Sequence, residues 1–451
     1  MEDLLRGAAE RAISYLGGIG ERTVRPDPAV DLSLLGGALP NDPTDPEVVL
    51  KLLDEVAAPA TMAMAGPRFY GWVIGGAYPV ALAADWMTST WDQNTLFAAA
   101  TPATVELEAA ALRWVVEAVG LPTGSWGAFV TGSTVANMAA LAAAVNSVLA
   151  EVGWDVAADG LFGAPPVTVV VGDEAHPSLI KALGVVGLGR NRVIRVPVDD
   201  QGRMRADAFP DFEPPAIVCL QAGNVNTGAF DPMAEIIPAA KEKGVWVHVD
   251  GAFGFWAAAS PALAYLTSGM ELADSWATDA HKYLNVPYDA GIVLVRNPSA
   301  LERVMSVSAA YLPEGQIGQD PMLYTPELSR RARGVPTWAV LKTLGRSGLA
   351  ALVERTVTLA RRIARGLEAA GFEILNEVVL NQVLVSFGDP ETTRRVVDAI
   401  QAEGTLFAGP TVWQGRTAMR ISVSSWKTTE ADVDRSVEAI LRCARSAART
   451  A

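Results

Sequence analysis

Two short motifs, about thirty residues apart, carry side chains that could do chemistry on a small molecule. They read HVDGA at residues 248–252 and DAHK at residues 279–282. A lysine among apolar and aromatic neighbours, such as Lys282, can lose its charge and become an amine nucleophile. A carboxylate at the end of an apolar run, such as Asp250, is costly to bury unless it meets a cation or a hydrogen-bond donor.

An aspartate together with such a lysine is the pair that pyridoxal phosphate requires. The lysine forms a Schiff base with the aldehyde, and the aspartate keeps the pyridine nitrogen protonated so that the ring withdraws electrons. The competing interpretation is a structural ion pair between Asp250 and Lys282. The two residues by themselves do not decide between these interpretations.

A second pair of motifs bears on the same question. The sequence GSTVAN at 132–137 follows a strand-like run and begins a predicted helix, and such a turn is typical either of a phosphate site or of an ordinary helix N-cap. It is neither G-x-G-x-x-G nor a P-loop. His176, in DEAHPS, follows the apolar run 167–171, where its imidazole could stack on a flat heterocycle or simply cap a helix.

The three histidines do not form a pattern that predicts a metal site. They are His176, His248 and His281, and the chain contains no H-E-x-x-H motif and no cysteine ligand set. We therefore expect no bound metal.

The elements that position these motifs follow from the hydrophobic pattern. Short β-branched runs at 167–171, 217–220, 245–249 and 291–295 alternate with helix-like stretches, and their continuous apolar character is typical of strands buried on both faces. The alternation predicts right-handed crossovers and an α/β fold with a mostly parallel central sheet flanked by helices. Ligands bind at the carboxyl ends of such strands.

The pattern along the chain also predicts a domain organisation. Residues 1–60 form an N-terminal helical segment with a proline-rich linker, and residues 61–305 form the large cofactor-binding domain. Residues 306–345 form a mobile loop and connector, because the stretch 311–336 is rich in glycine and proline and has no clear period. Residues 346–451 form a small C-terminal α+β domain.

Composition excludes several classes of partner. Of the 451 residues, 36 are Lys or Arg and 50 are Asp or Glu, giving a net charge of −14, which disfavours nucleic acid and anionic lipid. Two cysteines cannot form a disulfide framework, and the charges within the first apolar stretch lead us to expect no signal peptide there. The uncharged stretch 118–150 is interrupted by Pro122 and glycines, so it indicates a buried core segment rather than a membrane helix. We expect a cytoplasmic protein.

In these motifs the sequence resembles the group II pyridoxal-phosphate-dependent decarboxylases, the family of aromatic-L-amino-acid and glutamate decarboxylases. The resemblance extends from about residue 67 to residue 439. It depends on eight motifs in the expected order, which are PRFYGWV, TPATVELE, GSTVAN, DEAHPS, NVNTGAFDP, HVDGAFG, DAHKYLNVPYDAG and AMRISVSSW.

This resemblance implies fold type I of the pyridoxal enzymes and a homodimer with its active sites at the subunit interface. Lys282 would be the Schiff-base lysine and Asp250 the partner of the pyridinium nitrogen, while His176 and Ala252 would pack on the two faces of the ring. Arg420, in AMRIS, would receive the α-carboxylate of the substrate. The phosphate ligands would be Ser133, Thr134 and His281.

Three departures from the family pattern accompany the resemblance. Val135 replaces an acidic residue that many relatives have in the phosphate turn, and Asp279 stands where animal relatives have asparagine. The third departure concerns the tyrosine that protonates the carbanion in relatives. Tyr324 is the nearest candidate, although its register is shifted by a few residues, and Tyr311 and Tyr288 are the alternatives.

The resulting hypothesis is α-decarboxylation of an L-amino acid. Residues 69–97 contain many aromatic residues and no Lys or Arg, which favours an aromatic or apolar substrate, although core packing accounts for most aromatic clusters. The first alternative is a carbon–carbon lyase or aldolase that acts on a β-hydroxy amino acid or related amine with the same cofactor. The second is a non-catalytic protein that binds pyridoxal phosphate.

Overall fold

The computed structural model describes residues 1–306 and 320–449. Its helices are α1 (Glu2–Gly18), α2 (Pro46–Leu52), α3 (Pro79–Trp91), α4 (Pro102–Ala118), α5 (Ser133–Ala150), α6 (Val156–Asp159), α7 (Pro177–Val185), α8 (Met233–Glu242), α9 (Ala280–Tyr283), α10 (Ser299–Met305), α11 (Gly334–Ala369), α12 (Pro390–Glu403) and α13 (Glu430–Arg449). Its strands are β1 (Trp126–Val130), β2 (Thr168–Gly172), β3 (Val193–Val196), β4 (Ala216–Gln221), β5 (Trp246–Asp250), β6 (Ser275–Asp279), β7 (Gly291–Val295), β8 (Glu373–Ile374), β9 (Gln382–Ser386), β10 (Gly409–Trp413) and β11 (Arg416–Ser422).

The chain folds into two compact units. The larger unit contains residues Ala77–Ala360 and Asn376–Gln382. The smaller unit contains Met1–Gly76, Arg361–Leu375 and Val383–Ala451. Both termini therefore belong to the same unit.

A seven-stranded sheet forms the centre of the larger unit. Its strand order is β1-β7-β6-β5-β4-β2-β3. The pairs β2–β3, β2–β4, β4–β5 and β5–β6 are parallel, whereas β7 runs antiparallel to both β6 and β1. The predicted α/β fold with a mostly parallel sheet is confirmed.

Helix α5 packs against this sheet and is largely buried. It is long and apolar enough by length and composition to cross a membrane, but 67% of its most apolar stretch is buried inside the protein. Its apolar face joins β2, β4 and α7 in one hydrophobic cluster that includes Leu141, Val145 and Leu149. This burial agrees with the prediction that the uncharged stretch 118–150 is a buried core segment.

The register of the sheet brings the chemical motifs to one edge. In the parallel strands, Gln221 of β4 pairs with Asp250 of β5, and Asp250 pairs with Ala277 of β6. Asp279 at the end of β6 lies opposite Gly291, the first residue of the antiparallel β7. Because Gly291 also pairs with Val130 at the end of β1, the turn that leads into α5 starts at this same edge.

The smaller unit has a four-stranded sheet and its own core. The strand order is β10-β11-β9-β8, with β10–β11 and β8–β9 antiparallel. Arg68 links distant parts of this unit, because its guanidinium donates to the carbonyl oxygens of Thr405 and Gly20 and to the carboxylate of Asp432. By contrast, α1 has no buried residue.

Candidate active site

Asp250 ends a chain of hydrogen bonds that all point in one direction. The indole Nε1 of Trp246 donates to Ser275 Oγ at 2.9 Å, and Ser275 Oγ lies 2.9 Å from His248 Nδ1. His248 Nε2 lies 2.9 Å from Asn137 Oδ1, and Asn137 Nδ2 donates to Asp250 Oδ2 at 3.0 Å. Since an amide oxygen only accepts, His248 must carry its proton on Nε2 and accept from Ser275 at Nδ1.

This chain fixes both the position and the charge state of its members. Burial lowers the pKa of His248 to about 3, so the imidazole is neutral at physiological pH, as its two hydrogen bonds require. Burial raises the pKa of Asp250, while the charges of His176 and Lys282 and the bonds from Asn137 and Ala252 oppose that rise. A cation facing Asp250 would therefore be strongly stabilised.

Lys282 lies on the short helix α9, where its ammonium forms an ion pair with Asp279. The Nζ–Oδ2 distance is 3.0 Å, and the Asp279 side chain is only 2% exposed. The sequence also allowed a direct ion pair between Asp250 and Lys282. Among the described residues, Lys282 forms its ion pair with Asp279 instead. Lys282 is close enough to Asp250 to lower its pKa through its charge, but its contact is with Asp279.

The turn before α5 packs tightly against these residues. The backbone N–H of Ser133 donates to Asp279 Oδ1 at 2.6 Å. A Cβ placed on Gly291 would lie 2.4 Å from the Cα of Gly132, so the first residue of β7 must be a glycine for the two backbones to approach this closely. Ser133 and Thr134 are the first two residues of α5, so their hydroxyls lie at the N-terminus of that helix.

His281 and Tyr288 form an aromatic stack beside this turn. Their ring centroids are 4.3 Å apart, with 29° between the planes. His281 Nδ1 accepts from the backbone N–H of Ala290, so its proton lies on Nε2, which is 3.5 Å from Asp279 Oδ1. Burial lowers the pKa of His281 and raises the pKa of Tyr288 to about 12.

His176 and Ala252 lie at the same sheet edge. His176 is the N-cap of α7, and its Nδ1 accepts from the backbone N–H of Ser178 at 3.2 Å, so the imidazole does cap a helix. His176 is nevertheless close enough to Asp250 for a positive charge on its ring to lower the pKa of that carboxyl group. The backbone N–H of Ala252 donates to Asp250 Oδ1 at 3.2 Å, and its carbonyl oxygen accepts from the backbone N–H of Asp279.

The structure thus brings most of the sequence-predicted residues together in the larger unit. They are Lys282, Asp250, His176, Ala252, Ser133, Thr134 and His281. Arg420 lies on β11 of the smaller unit, where it pairs in register with Gly409, and burial lowers its pKa. Its predicted contact with the substrate stays a prediction.

Tyr324 has a different environment from the cluster. Its residue is 3% exposed, and its hydroxyl donates to Glu302 at 2.6 Å. Burial raises its pKa, and the neighbouring Glu302 carboxylate raises it further. Tyr311 lies outside the described residues.

The described part of the predicted mobile stretch is well packed. Arg330 is buried, and its guanidinium donates to both carboxylate oxygens of Glu108, at 2.6 and 3.2 Å, and to the carbonyl oxygen of Phe129 at 2.9 Å. Because Phe129 belongs to β1, this anchor ties the connector to the central sheet. A lid that includes Arg330 would have to break a fully buried ion pair.

Sequence reasoning missed three residues of the hydrogen-bond chain, which are Asn137, His248 and Ser275. Two of them left a signal. His248 and Asp250 alternate along one strand and therefore point to the same face, and Asn137 lies one helical turn after Ser133 on α5. Ser275 begins β6, a strand that the hydrophobic pattern did not predict.

Comparison with known proteins gives a consistent result. The family "Pyridoxal-dependent decarboxylase conserved domain" matches residues 28–388. The chain is 28% identical to mouse histidine decarboxylase over 443 residues, which cover 93% of this chain and 66%, about two thirds, of that protein. It is 24% identical to the aromatic-L-amino-acid decarboxylase of Bacillus atrophaeus over 416 residues, covering 87% of this chain and 84% of that protein.

Solved structures with similar folds show the architecture. A crystal structure of Oryza sativa TDC with PLP and tryptamine superposes with a TM-score of 0.90 at 22% identity, covering 99% of this chain and 97% of that chain. The apo structure of mouse CSAD superposes with a TM-score of 0.88 at 22% identity, covering 98% of both chains. The predicted fold type I is confirmed.

Proposed function

Because the chain belongs to the family of pyridoxal-dependent decarboxylases, whose cofactor is pyridoxal 5′-phosphate, we propose that it converts an L-amino acid to the corresponding amine and carbon dioxide. The observation that carries this proposal is the arrangement at the carboxyl edge of the sheet. There a buried carboxylate, Asp250, is held by a directed hydrogen-bond chain and lies within electrostatic reach of Lys282 and His176.

The residues at this edge fit the cofactor. Asp250 is a buried anion that a protonated ring nitrogen would stabilise. The hydroxyls of Ser133 and Thr134, together with the Nε2–H of His281, are donors suited to a phosphate at the N-terminus of α5. Lys282 is the amine that would hold the cofactor covalently, and His176 and Ala252 would contact the two faces of its ring. When bound, the cofactor supplies an electron sink for the pair left on Cα.

The hydrogen-bond chain has a role in this chemistry. Asn137 donates to one carboxylate oxygen of Asp250 and the Ala252 N–H donates to the other, so the carboxylate cannot rotate freely. A carboxylate that is already oriented needs no reorganisation during the reaction. Asp250 can therefore keep a proton on the ring nitrogen throughout the reaction.

Arg420 is proposed to select the bond that breaks. A guanidinium that binds the α-carboxylate in two-point fashion would orient it for loss as carbon dioxide. The support for this role is the position of Arg420 in the family-like motif AMRIS and its partly buried side chain.

The proton that replaces carbon dioxide on Cα needs a donor within hydrogen-bond reach. Tyr324 is the residue that the family pattern favours, but its hydroxyl is bound to Glu302 and would have to be released from it. Tyr288 stacks on His281 and so contacts the cluster directly. We infer that Tyr288 and Tyr324 are the two candidates to compare by experiment, and Tyr311 is the third.

An aromatic or apolar side chain is the proposed specificity. Of the aromatic residues between 69 and 97, Phe69 and Tyr70 are buried, in agreement with the alternative that these aromatic side chains pack in the core. Others keep large exposed fractions, with Trp86 at 39% and Trp91 at 41%. These exposed side chains and the absence of Lys and Arg from the segment support a neutral substrate pocket. Names of relatives, including aromatic-L-amino-acid and histidine decarboxylases, agree with this class.

We also propose a cytoplasmic homodimer with the active site at its interface. The N-terminal segment exposes an unusual number of large apolar side chains for so short a stretch. They are Leu32, Leu34, Leu35, Leu39, Val48, Val49, Leu52 and Leu53, each at least 36% exposed. A second copy of the chain would bury them. Light scattering coupled to gel filtration, with and without residues 1–60, tests this proposal.

The function is tested by offering the purified protein, with pyridoxal phosphate, each of the twenty amino acids and a set of β-hydroxy amino acids. Release of carbon dioxide with equimolar amine supports decarboxylation, and release of an aldehyde from the β-hydroxy compounds supports the lyase or aldolase alternative. If neither product forms while the cofactor is bound, the non-catalytic alternative is the correct one.

A further inference from the structure

The carboxylate of Asp279 engages two groups that the proposed function assigns to the cofactor. Its Oδ1 accepts the backbone N–H of Ser133 at 2.6 Å, and its Oδ2 lies 3.0 Å from Lys282 Nζ. The first group lies at the N-terminus of α5, where the proposed function places the phosphate. The second is the amine proposed to hold the cofactor.

Asp279 is ionised in this position. Burial favours the neutral acid, but the Lys282 charge, the neighbouring His281 and the hydrogen bonds from Lys282 and Ser133 outweigh it and lower the pKa of Asp279. Because its side chain is only 2% exposed, water screens this charge poorly. A phosphate brought to the same helix end would therefore meet a fixed negative charge.

From this geometry we propose that Asp279 is a positioning residue that competes with the cofactor phosphate for the N-terminus of α5 and retains Lys282, so that the cofactor binds weakly and exchanges readily. The inference rests on the proposed function. Two like charges at close range in a poorly screened site repel strongly. Turning the carboxylate away would break both the Ser133 hydrogen bond and the Lys282 ion pair.

The neighbouring groups do not relieve this repulsion. His281 Nε2 is 3.5 Å from Asp279 Oδ1, but burial lowers the pKa of His281, so the ring is neutral. Tyr288 is also neutral, because the ordinary pKa of tyrosine, 10.0, already lies well above physiological pH and that of Tyr288 is raised further. Asp289 is bound to Arg333 at 2.7 Å. On the neighbouring strand β5, Asp250 adds a further acidic group.

The test compares two ligands that differ only in the phosphate. Equilibrium dissociation constants for pyridoxal and for pyridoxal 5′-phosphate are measured by absorbance titration on the wild-type protein and on Asp279→Asn, which keeps the side-chain shape. The ratio of the two constants isolates the contribution of the phosphate from any change in the reactivity of Lys282. We define the ratio as the dissociation constant of pyridoxal divided by that of pyridoxal 5′-phosphate. We expect it to be at least about tenfold larger in Asp279→Asn than in the wild type, which corresponds to about 1.4 kcal/mol.

Asp289→Asn is the matched control, because its charge is already paired with Arg333 and it touches neither Ser133 nor Lys282. Its ratio should change much less than that of Asp279→Asn. Asp279→Ser provides a second variant that lacks the charge. An unchanged or smaller ratio in either folded Asp279 variant overturns the inference. If the wild-type protein binds neither ligand through Lys282, the proposed function itself is wrong, and that result is distinct from an unchanged ratio.

Discussion

The side-chain amide of Asn137 donates to Asp250 at 3.0 Å, and this bond joins the helix that follows the phosphate-like turn to the strand that carries the buried carboxylate. The carboxylate of Asp250 fixes the amide orientation, because a reversed amide would place the Asn137 carbonyl oxygen against a carboxylate oxygen, and both atoms only accept. The carbonyl oxygen of Asn137 therefore faces His248 Nε2, at 2.9 Å. The hydrogen-bond chain therefore determines which face of Asn137 meets Asp250.

Substituting His248 should change how stability depends on pH. The ordinary pKa of histidine is 6.5, and burial lowers that of His248 to about 3, so the unfolded chain binds more protons between these values. The contribution of His248 is fully present above pH 6.5 and is lost as the pH falls towards 3. Between pH 7 and pH 5 the wild type should lose about 2 kcal/mol more of its free energy of unfolding than His248→Gln does.

Urea unfolding at pH 7 and at pH 5 measures this difference. The comparison at two pH values cancels any constant penalty that the substitution itself carries. Parallel losses in the two proteins would show that His248 is not buried in its neutral form.

Replacing Lys282 should remove the covalent link to the cofactor. Lys282→Ala should lack the absorption band that borohydride reduces, and its turnover should be near background, because no other amine is proposed for this role. Lys181→Ala, which removes an exposed lysine from α7, is the control and should behave like the parent. A Lys282→Ala protein with the parent spectrum and activity would refute the site assignment.

Asp250→Asn should still bind the cofactor through the turn at Ser133 but react far more slowly. An amide cannot keep the ring nitrogen protonated, so turnover should fall by at least about a hundredfold, or roughly 3 kcal/mol of barrier. Asp173→Asn neutralises an exposed carboxylate just after β2 and should have little effect. Spectroscopic titration and steady-state kinetics measure the two effects, and a normal turnover number would place Asp250 outside the site.

Replacing the tyrosine that protonates Cα should cause by-products to form. When the donor is changed to phenylalanine, cofactor and substrate binding should persist, while amine formation falls and the carbanion is diverted to oxidation or transamination. Tyr324→Phe also removes the hydrogen bond to Glu302, so its unfolding free energy should fall by about 1 kcal/mol, whereas Tyr288→Phe should leave stability nearly unchanged.

Product analysis by chromatography on both variants, with Tyr311→Phe alongside, makes this comparison. If all three variants form amine at the parent rate without by-products, no tyrosine among them is the donor. The lyase alternative would then gain support.

The hydrophobic pattern predicted four of the five interior strands of the seven-stranded sheet. The runs at 167–171, 217–220, 245–249 and 291–295 correspond to β2, β4, β5 and β7, because strands covered by helices on both faces are apolar at most positions. Strand β6 was missed because its sequence is not a continuous apolar run. Its sequence SWATD mixes polar and apolar residues, although all five are buried in the structure.

Local sequence also determined which residues could do chemistry, since Asp250, Lys282 and His176 follow recognisable motifs. What it could not supply is the choice of partner. Lys282 pairs with Asp279 three residues away rather than with Asp250, because the end of β6 and helix α9 place the two side chains side by side. That outcome depends on where the strand stops and the helix begins.

Only the tertiary structure decided how Asp250 is held. Asn137, His248 and Ser275 come from α5, β5 and β6, which are far apart in the sequence and meet through strand pairing and helix packing. Asn137 and His248 lie in recognisable motifs, but nothing in those motifs shows that the two side chains meet, and Ser275 lies in none. Hydrogen bonds are short-ranged and directional, so a chain of them exists only once the fold has fixed all its members in space.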